Sequence, residues 1–206
     1  MRSRKMIMLS AVLAVFAFSA VASSVAGAVV PQWHFGGTLL AEEKEETVVG
    51  AAFSSSLKSG GASTTCEHFL YNMSVFNLFG EGYGAVNELP LYSCSTTAPK
   101  CTVASIQAEG LPWFSFVETY AAGKKYLVIT EIDVKIVYTG TGCTLGTVTV
   151  TGSAGGLISG SNATFSKASF EATGTSMTAG GNAVEWVGEF PMEAFKGNRE
   201  EAVEVF

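Results

Sequence analysis

The chain has 206 residues, 48% of them hydrophobic and 15% charged, with a formal net charge of −6. That length fits one ordinary domain with its own core, and the acidic balance argues against nucleic acid or anionic membrane surfaces as partners. Catalytic side chains are scarce: two histidines, four cysteines and a single aspartate, Asp133.

The first 28 residues have the layout of a secretory signal peptide. Arg2, Arg4 and Lys5 form a positive start, an apolar run extends from Met6 through Phe18, and small residues follow up to Ala26-Gly27-Ala28. Ala26 and Ala28 fit the shallow pockets in which a signal peptidase holds an extended chain, so cleavage is expected after Ala28. The alternative is an uncleaved anchor, since Met6 to Val30 carries no charge and about 20 apolar residues can span a bilayer. Its Ala, Ser and Gly content favours cleavage. No Cys follows the cleavage site as a lipid anchor requires, the first being Cys66. Cleavage leaves 9 basic and 18 acidic residues, a charge of −9, on a product expected to be soluble and free of the membrane.

Residues 29–46 read as an acidic leading segment ending in Glu42-Glu43-Lys44-Glu45-Glu46, a solvated run. Residues 47–206 read as a single β domain. Cys66 to Phe79 is rich in aromatic and β-branched residues and reads as strand. In Tyr126 to Tyr138, Tyr126, Val128, Ile132, Val134, Ile136 and Tyr138 fall on one face, and Glu131, Asp133 and Lys135 on the other. Val148 and Val150 oppose three threonines in Thr147 to Thr151, and Trp186 and Phe190 oppose Glu185 and Glu189 in Ala183 to Phe190. Turns are expected at Gly80 to Gly84, Gly140 to Gly142, Gly152 to Gly156 and Gly180 to Asn182. Thr139 to Ser166 has no charged residue, yet its apolar anchors predict strand-turn-strand. The sum is an all-β fold of about ten strands, an antiparallel β-sandwich or closed β-barrel, preceded by a signal-peptide helix and with no helix after it. An outer-membrane barrel is set aside, because Glu204 and Glu200 would face lipid in a last strand ending at Phe206.

Cys66, Cys94, Cys101 and Cys143 in an exported chain imply two disulfides and allow three pairings. Out-and-back strands between the partners favour Cys66 with Cys94 and Cys101 with Cys143. Zinc spacing is absent, and the Glu42 to Glu46 run lacks the alternating Asp and Asn and the Gly turn of a calcium loop. No cofactor is expected.

A Ser-His-Asp triad would need His34 or His68 with Asp133 or a Glu, and no G-x-S-x-G elbow occurs. His34 reads as a surface residue and His68 as a structural one. Paired carboxylates are the better enzymatic alternative, with Glu185 and Glu189 beside Trp186 and Trp113 as sugar platforms. Residues four apart on a strand, however, lie ~13 Å from each other, beyond the usual gap for glycoside hydrolysis. Gly80 to Gly84 lacks the following helix of a phosphate loop. Asn72-Met73-Ser74 and Asn162-Ala163-Thr164 match the glycosylation sequon.

Cys94-x6-Cys101-Thr102-Val103, Gly110-Leu111-Pro112-Trp113, Gly142-Cys143 and Ala168-Ser169-Phe170-Glu171-Ala172-Thr173-Gly174-Thr175 together resemble a group of uncharacterised secreted proteins of high-GC Gram-positive bacteria. The likeness covers most of residues 60–190. It implies a bacterial secreted protein whose sequons are silent, and it carries no activity to any residue. The expected function is therefore that of a non-enzymatic exported β-domain with a structural or binding role at or outside the cell envelope. The alternatives are a carbohydrate-binding module or carbohydrate-active enzyme using Trp and Glu residues, and an inhibitor or toxin-like partner of another secreted protein.

Overall fold

The computed structural model of the chain describes residues 30–196 and 199–206. The expected signal segment, with Ala26 and Ala28, lies outside the described residues. In chain order the strands are β1 (Trp33–Phe35), β2 (Thr38–Leu39), β3 (Glu45–Ser59), β4 (Ala62–Leu78), β5 (Glu81–Glu88), β6 (Leu91–Thr96), β7 (Thr102–Ala108), β8 (Trp113–Thr119), β9 (Lys125–Thr139), β10 (Thr147–Ser159) and β11 (Asn162–Phe165). Helix α1 (Lys167–Thr173) follows, then β12 (Met177–Ala179), β13 (Asn182–Pro191), β14 (Glu193–Lys196) and β15 (Arg199–Val205). The fold is all-β, but with 15 strands in one sheet among the described residues rather than about ten. The surplus comes largely from strands of two to four residues, such as β1, β2 and β12, which are too short to show a period.

The helix corrects the expectation of none. Ser166 caps it, accepting from the Ser169 amide while the Ser169 hydroxyl accepts from the Ser166 amide, and Gly174 ends it at φ 64°. A reciprocal cap and a left-handed glycine bracket a helix of seven residues, whose two turns are too few for helical periodicity to register.

The ladders close on themselves. β3 pairs with β4, β4 with β5, β5 with β8, β8 with β9, β9 with β10, β10 with β11 and β12, both of these with β13, and β13 returns to β3 through Glu185↔Lys58, Trp186↔Leu57 and Val187↔Ser56. The long strands divide their partners. One half of β4 takes β5 and the other β6, while one half of β9 takes β8 and the other β7. β6 and β7 thus flank a seam, and each is fastened by a disulfide: Cys94 of β6 to Cys66 of β4, and Cys101 before β7 to Cys143 after β9. These are the favoured pairings.

Strands of 13 to 17 residues can follow a curved surface only if they bend. At Ser54, φ 73°, both β3 and β4 change phase together: Ala52 and Ser55 are buried while Phe53 and Ser54 are exposed, opposite exposed Glu67 and His68. At Glu131, φ 59°, β9 does the same against β10, where the register shifts between Gly152 and Ala154. Such irregularities increase twist and let one face remain inward along the whole strand. The second one corrects the alternation expected for β9. Ile132, Val134 and Ile136 do face the core, but before the bend it is Leu127 and Ile129 that join it, and Tyr126 and Val128 are buried outside the main cluster.

The interior is aromatic. Phe190 lies 4.8 to 5.3 Å, centroid to centroid, from Phe69, Tyr71, Phe165 and Trp186, and each such side chain contributes about 1.5–3 kcal/mol by burial. Of two glycine tracts expected as turns, Gly80 does turn the chain between β4 and β5 at φ 79°, but residues 81–84 and 152–156 are strand. Gly84 sits inside β5, where a Cβ would come 2.7 Å from the Ser74 carbonyl oxygen, and Gly155 and Gly156 sit inside β10, against Thr173 and the Phe165 ring. These glycines serve close approach rather than chain reversal.

One end of the closed circuit is covered. The acidic run is solvated as expected, but the segment before it carries β1 and β2, which with β14 and β15 extend the sheet past β3. Trp33 is fully buried there, beside Leu40, Val203 and Val205. Its backbone amide donates to the buried Asn77 side-chain oxygen at 2.8 Å, and the Asn77 amide nitrogen donates to the carbonyls of Trp33 and Leu40 at 3.1 and 2.8 Å.

Candidate functional site

The expected catalytic groups do not converge. His34, on β1, is half-buried rather than a free surface residue; it packs edge-on against Phe206 at 4.8 Å, and its Nδ1 has no partner. His68, on β4, is exposed instead of structural, lying edge-on to Phe53 at 5.5 Å. Asp133 sits on β9 with Oδ1 unpaired. No hydrogen bond links either imidazole to a carboxylate or hydroxyl among the described residues, and no group of His, Cys, Asp or Glu there is arranged to hold a metal. All four cysteines are in disulfides.

The tryptophan platforms are a correction. Trp33 and Trp113 are 0% exposed and Trp186 2%. Each ring N–H is satisfied inside the protein, by the carbonyls of Tyr83 and Glu109 and by the Ser55 hydroxyl respectively. Inward alternation on β13 and the core position of β8 bury these rings, so neither Trp113 nor Trp186 can offer a face to a sugar. Glu185 is half-buried opposite Lys58, and Glu189 is exposed opposite Thr164. An aromatic row does cross the outer surface, from Phe76 through Tyr83 and Phe114 to Phe116 at steps of 5.9 to 6.1 Å, but the rings are inclined by only 28 to 35° and cover one another.

The end opposite Trp33 is open. The ends of β3, β4, β9, β10, β12 and β13 surround a cup of about 770 Å³. Leu57, Ile136, Tyr138, Val148, Val150 and Val184, which line it, all belong to the core or pack on it. The cup is therefore the inner face of the sheet continued to solvent. None of its lining residues is charged. Within it the Thr64 and Tyr138 hydroxyls lie 2.6 Å apart, joining β4 to β9 across the opening.

The β3–β4 hairpin projects beside the cup. Its tip turns through Gly60 and Gly61 at φ 56° and 84°, a left-handed pair that only glycine takes without cost. On the far side of the same tip a second, shallower hollow of about 950 Å³ runs to α1, with Phe170, Met177 and Val184 among its lining and Lys58, Lys167, Glu171 and Glu185 around them. Ser59, Gly60, Ala62 and Ser63 line both hollows. The Thr97 hydroxyl accepts from the Ser63 amide at 2.9 Å and tethers the tip.

A cavity of several hundred Å³, mostly apolar, with a few convergent hydroxyls at the mouth of a closed sheet has the form of a small-molecule site. Reading the sequence placed Tyr138, Val148 and Val150 on inward faces but not together. Leu57, Thr64 and Val184 carried no signal of their own, because the site forms only where six strand ends meet. The charge-free tract Thr139 to Ser166 was the one trace, since it supplies part of the uncharged wall.

Two disulfides fit an oxidising compartment, and no helix among the described residues is long and apolar enough to cross a membrane. No family model, curated protein or solved structure matches the chain.

Proposed function

We propose that this protein is exported, that its closed circuit of ladders is a β-barrel, and that it works by binding a small ligand in the open end rather than by catalysis. The observation that carries the reading is the cup itself: one end of the sheet is filled by Trp33 and its neighbours while the other leaves about 770 Å³ bounded by core side chains. Support for export comes from the signal-like residues 1–28, the two disulfides and the resemblance to secreted proteins of high-GC Gram-positive bacteria. Support for binding rather than chemistry comes from the separation of His34, His68 and Asp133 on different strands.

Expression in a secreting Gram-positive host tests both parts. The expected product is recovered from the medium, begins at Val29, contains no free thiol and takes up the neutral apolar dye Nile red with a saturable rise in fluorescence. Val148→Lys, which puts a charge in the cup wall, abolishes uptake without unfolding the chain. Recovery only from the cytoplasm overturns export. Undiminished dye uptake by Val148→Lys overturns the cup as the binding site.

A further inference from the structure

The lining of the cup sets a limit on charge as well as on size. Its lining contains no Lys, Arg, His, Asp or Glu. A carboxylate or ammonium group brought inside would lose its water and meet no counter-ion, and such burial is costly. An anion would in addition approach a domain whose own balance is acidic.

The hydrogen-bonding groups in the wall are neutral, and the deepest of them, Thr64, is 4% exposed. Its Oγ1 and the Tyr138 hydroxyl share one hydrogen bond at 2.6 Å, in which either can donate. Two hydroxyls carry two hydrogens, and this bond uses one. The other hydrogen has no acceptor among the described residues, so the pair retains one donor, together with oxygen lone pairs, for a molecule in the cup. The rest of the wall mixes aliphatic side chains, Leu57, Ile136, Val148, Val150 and Val184 among them, with further uncharged polar groups such as Thr147, Thr149 and Asn182. A wall that combines aliphatic surface with uncharged polar groups, Thr64 of the Thr64–Tyr138 pair the most buried of them, complements a ligand of the same makeup.

We propose that the open end is a site for an uncharged amphiphile: an aliphatic molecule with a hydroxyl or carbonyl oxygen that bonds the Thr64–Tyr138 pair, its chain lying along Leu57, Val148 and Val184. This assignment rests on the cup being a binding site.

The test is competition for bound Nile red by three ten-carbon probes, decanol, decanoate and decylamine, using the full disulfide-bonded chain at neutral pH. Decanol is expected to displace the dye at concentrations about tenfold or more below those needed for decanoate or decylamine. Tyr138→Phe and Thr64→Val are each expected to weaken decanol about three- to tenfold, whereas Thr64→Ser, which keeps the hydroxyl, retains its affinity. Unfolding midpoints in urea confirm that each variant is folded. Equal displacement by the three probes, or full decanol affinity in both hydroxyl-deletion variants, overturns the neutral-amphiphile assignment while leaving a site in place. Absence of saturable dye uptake by the unaltered protein overturns the site itself.

Discussion

Asn77 holds the covered end of the sheet shut, and replacing it measures how much that closure is worth. In Asn77→Ala the Trp33 amide and the Leu40 carbonyl lose their partners. The Trp33 carbonyl keeps one, because the Leu40 amide also donates to it at 3.0 Å. Two orphaned buried groups at about 1–3 kcal/mol each would cost about 2–6 kcal/mol. The space vacated by the carboxamide can admit water, which places the expected loss near 2–3 kcal/mol. Asn77→Asp supplies the control. Its carboxylate still accepts from Trp33 but opposes the Trp33 and Leu40 carbonyls, so at neutral pH it should cost more than Asn77→Ala. Burial and those carbonyls raise the pKa of the introduced carboxyl above its unfolded value. A raised pKa favours the native state below the unfolded value and loses that advantage as pH rises through the folded value. The Asn77→Asp variant should therefore regain stability as pH falls from neutral toward 4, where the protonated carboxyl can donate again. Urea unfolding followed by tryptophan fluorescence reads the loss, since all three tryptophans are buried. Exchange of the Leu40 amide reports the covered end locally. Losses under about 0.5 kcal/mol in both variants, or a pH-independent Asn77→Asp, would refute the reasoning.

Further expectations follow from the same contacts. Gly152→Ala, at φ 138° with its new Cβ 2.2 Å from the Ser176 backbone oxygen, should cost about 3 kcal/mol or more, against about 1–2 kcal/mol for Gly36→Ala, at φ 53° with open space around it; equal losses would discount close packing between β10 and the chain entering β12. Replacing Cys66 and Cys94 together by Ala opens a crosslink across 28 residues and should lower stability by about 3–4 kcal/mol on the chain-entropy account, with a loss below about 1 kcal/mol counting against it. Burial raises the Tyr71 phenol well above its ordinary pKa, with Glu193 adding to the effect, and burial followed by hydrogen bonds to Glu81 and Glu118 raises Tyr83 and Tyr120. Their contribution is fully present below the unfolded value of 10.0 and is lost as pH climbs above it. An ultraviolet titration compared with those of Tyr71→Phe, Tyr83→Phe and Tyr120→Phe should show these three phenols resisting ionisation until the chain unfolds, and their ionisation near 10.0 in the native state would contradict this.

Much of the sheet was legible where polar and apolar residues alternate. Val148 and Val150 against three threonines, Trp186 and Phe190 against two glutamates, and Ile132 to Ile136 all face as their period indicates. Legibility failed where period two had nothing to act on. From Tyr126 to Ile129 every residue is apolar, so no alternation marks the phase, and the bend at Glu131 depends on what β10 does opposite it. The glycine tracts failed for a related reason. Gly84 and Gly156 look like turn residues until Ser115 and Phe165, which lie on other strands, are placed beside them. For Trp186 the alternation marks a shared face with Phe190 but not its direction, which leaves a sugar platform open until the closure of β13 onto β3 decides it. The cup was the least legible feature, because its apolar side chains read as ordinary core and only their position at the strand ends turns core into a site.

The central claim is that the open end, and not the exposed aromatic surface, takes up a small ligand. Methyl-resolved NMR of the disulfide-bonded chain during a decanol titration tests it most directly. The account predicts saturable shifts at Leu57, Ile136, Val148, Val150 and Val184, with Val203 and Val205 at the covered end unmoved. Shifts confined to Leu70, which like Phe53 and Tyr92 is exposed on the outer face, or no saturable shift at any of the five cup residues, would contradict it.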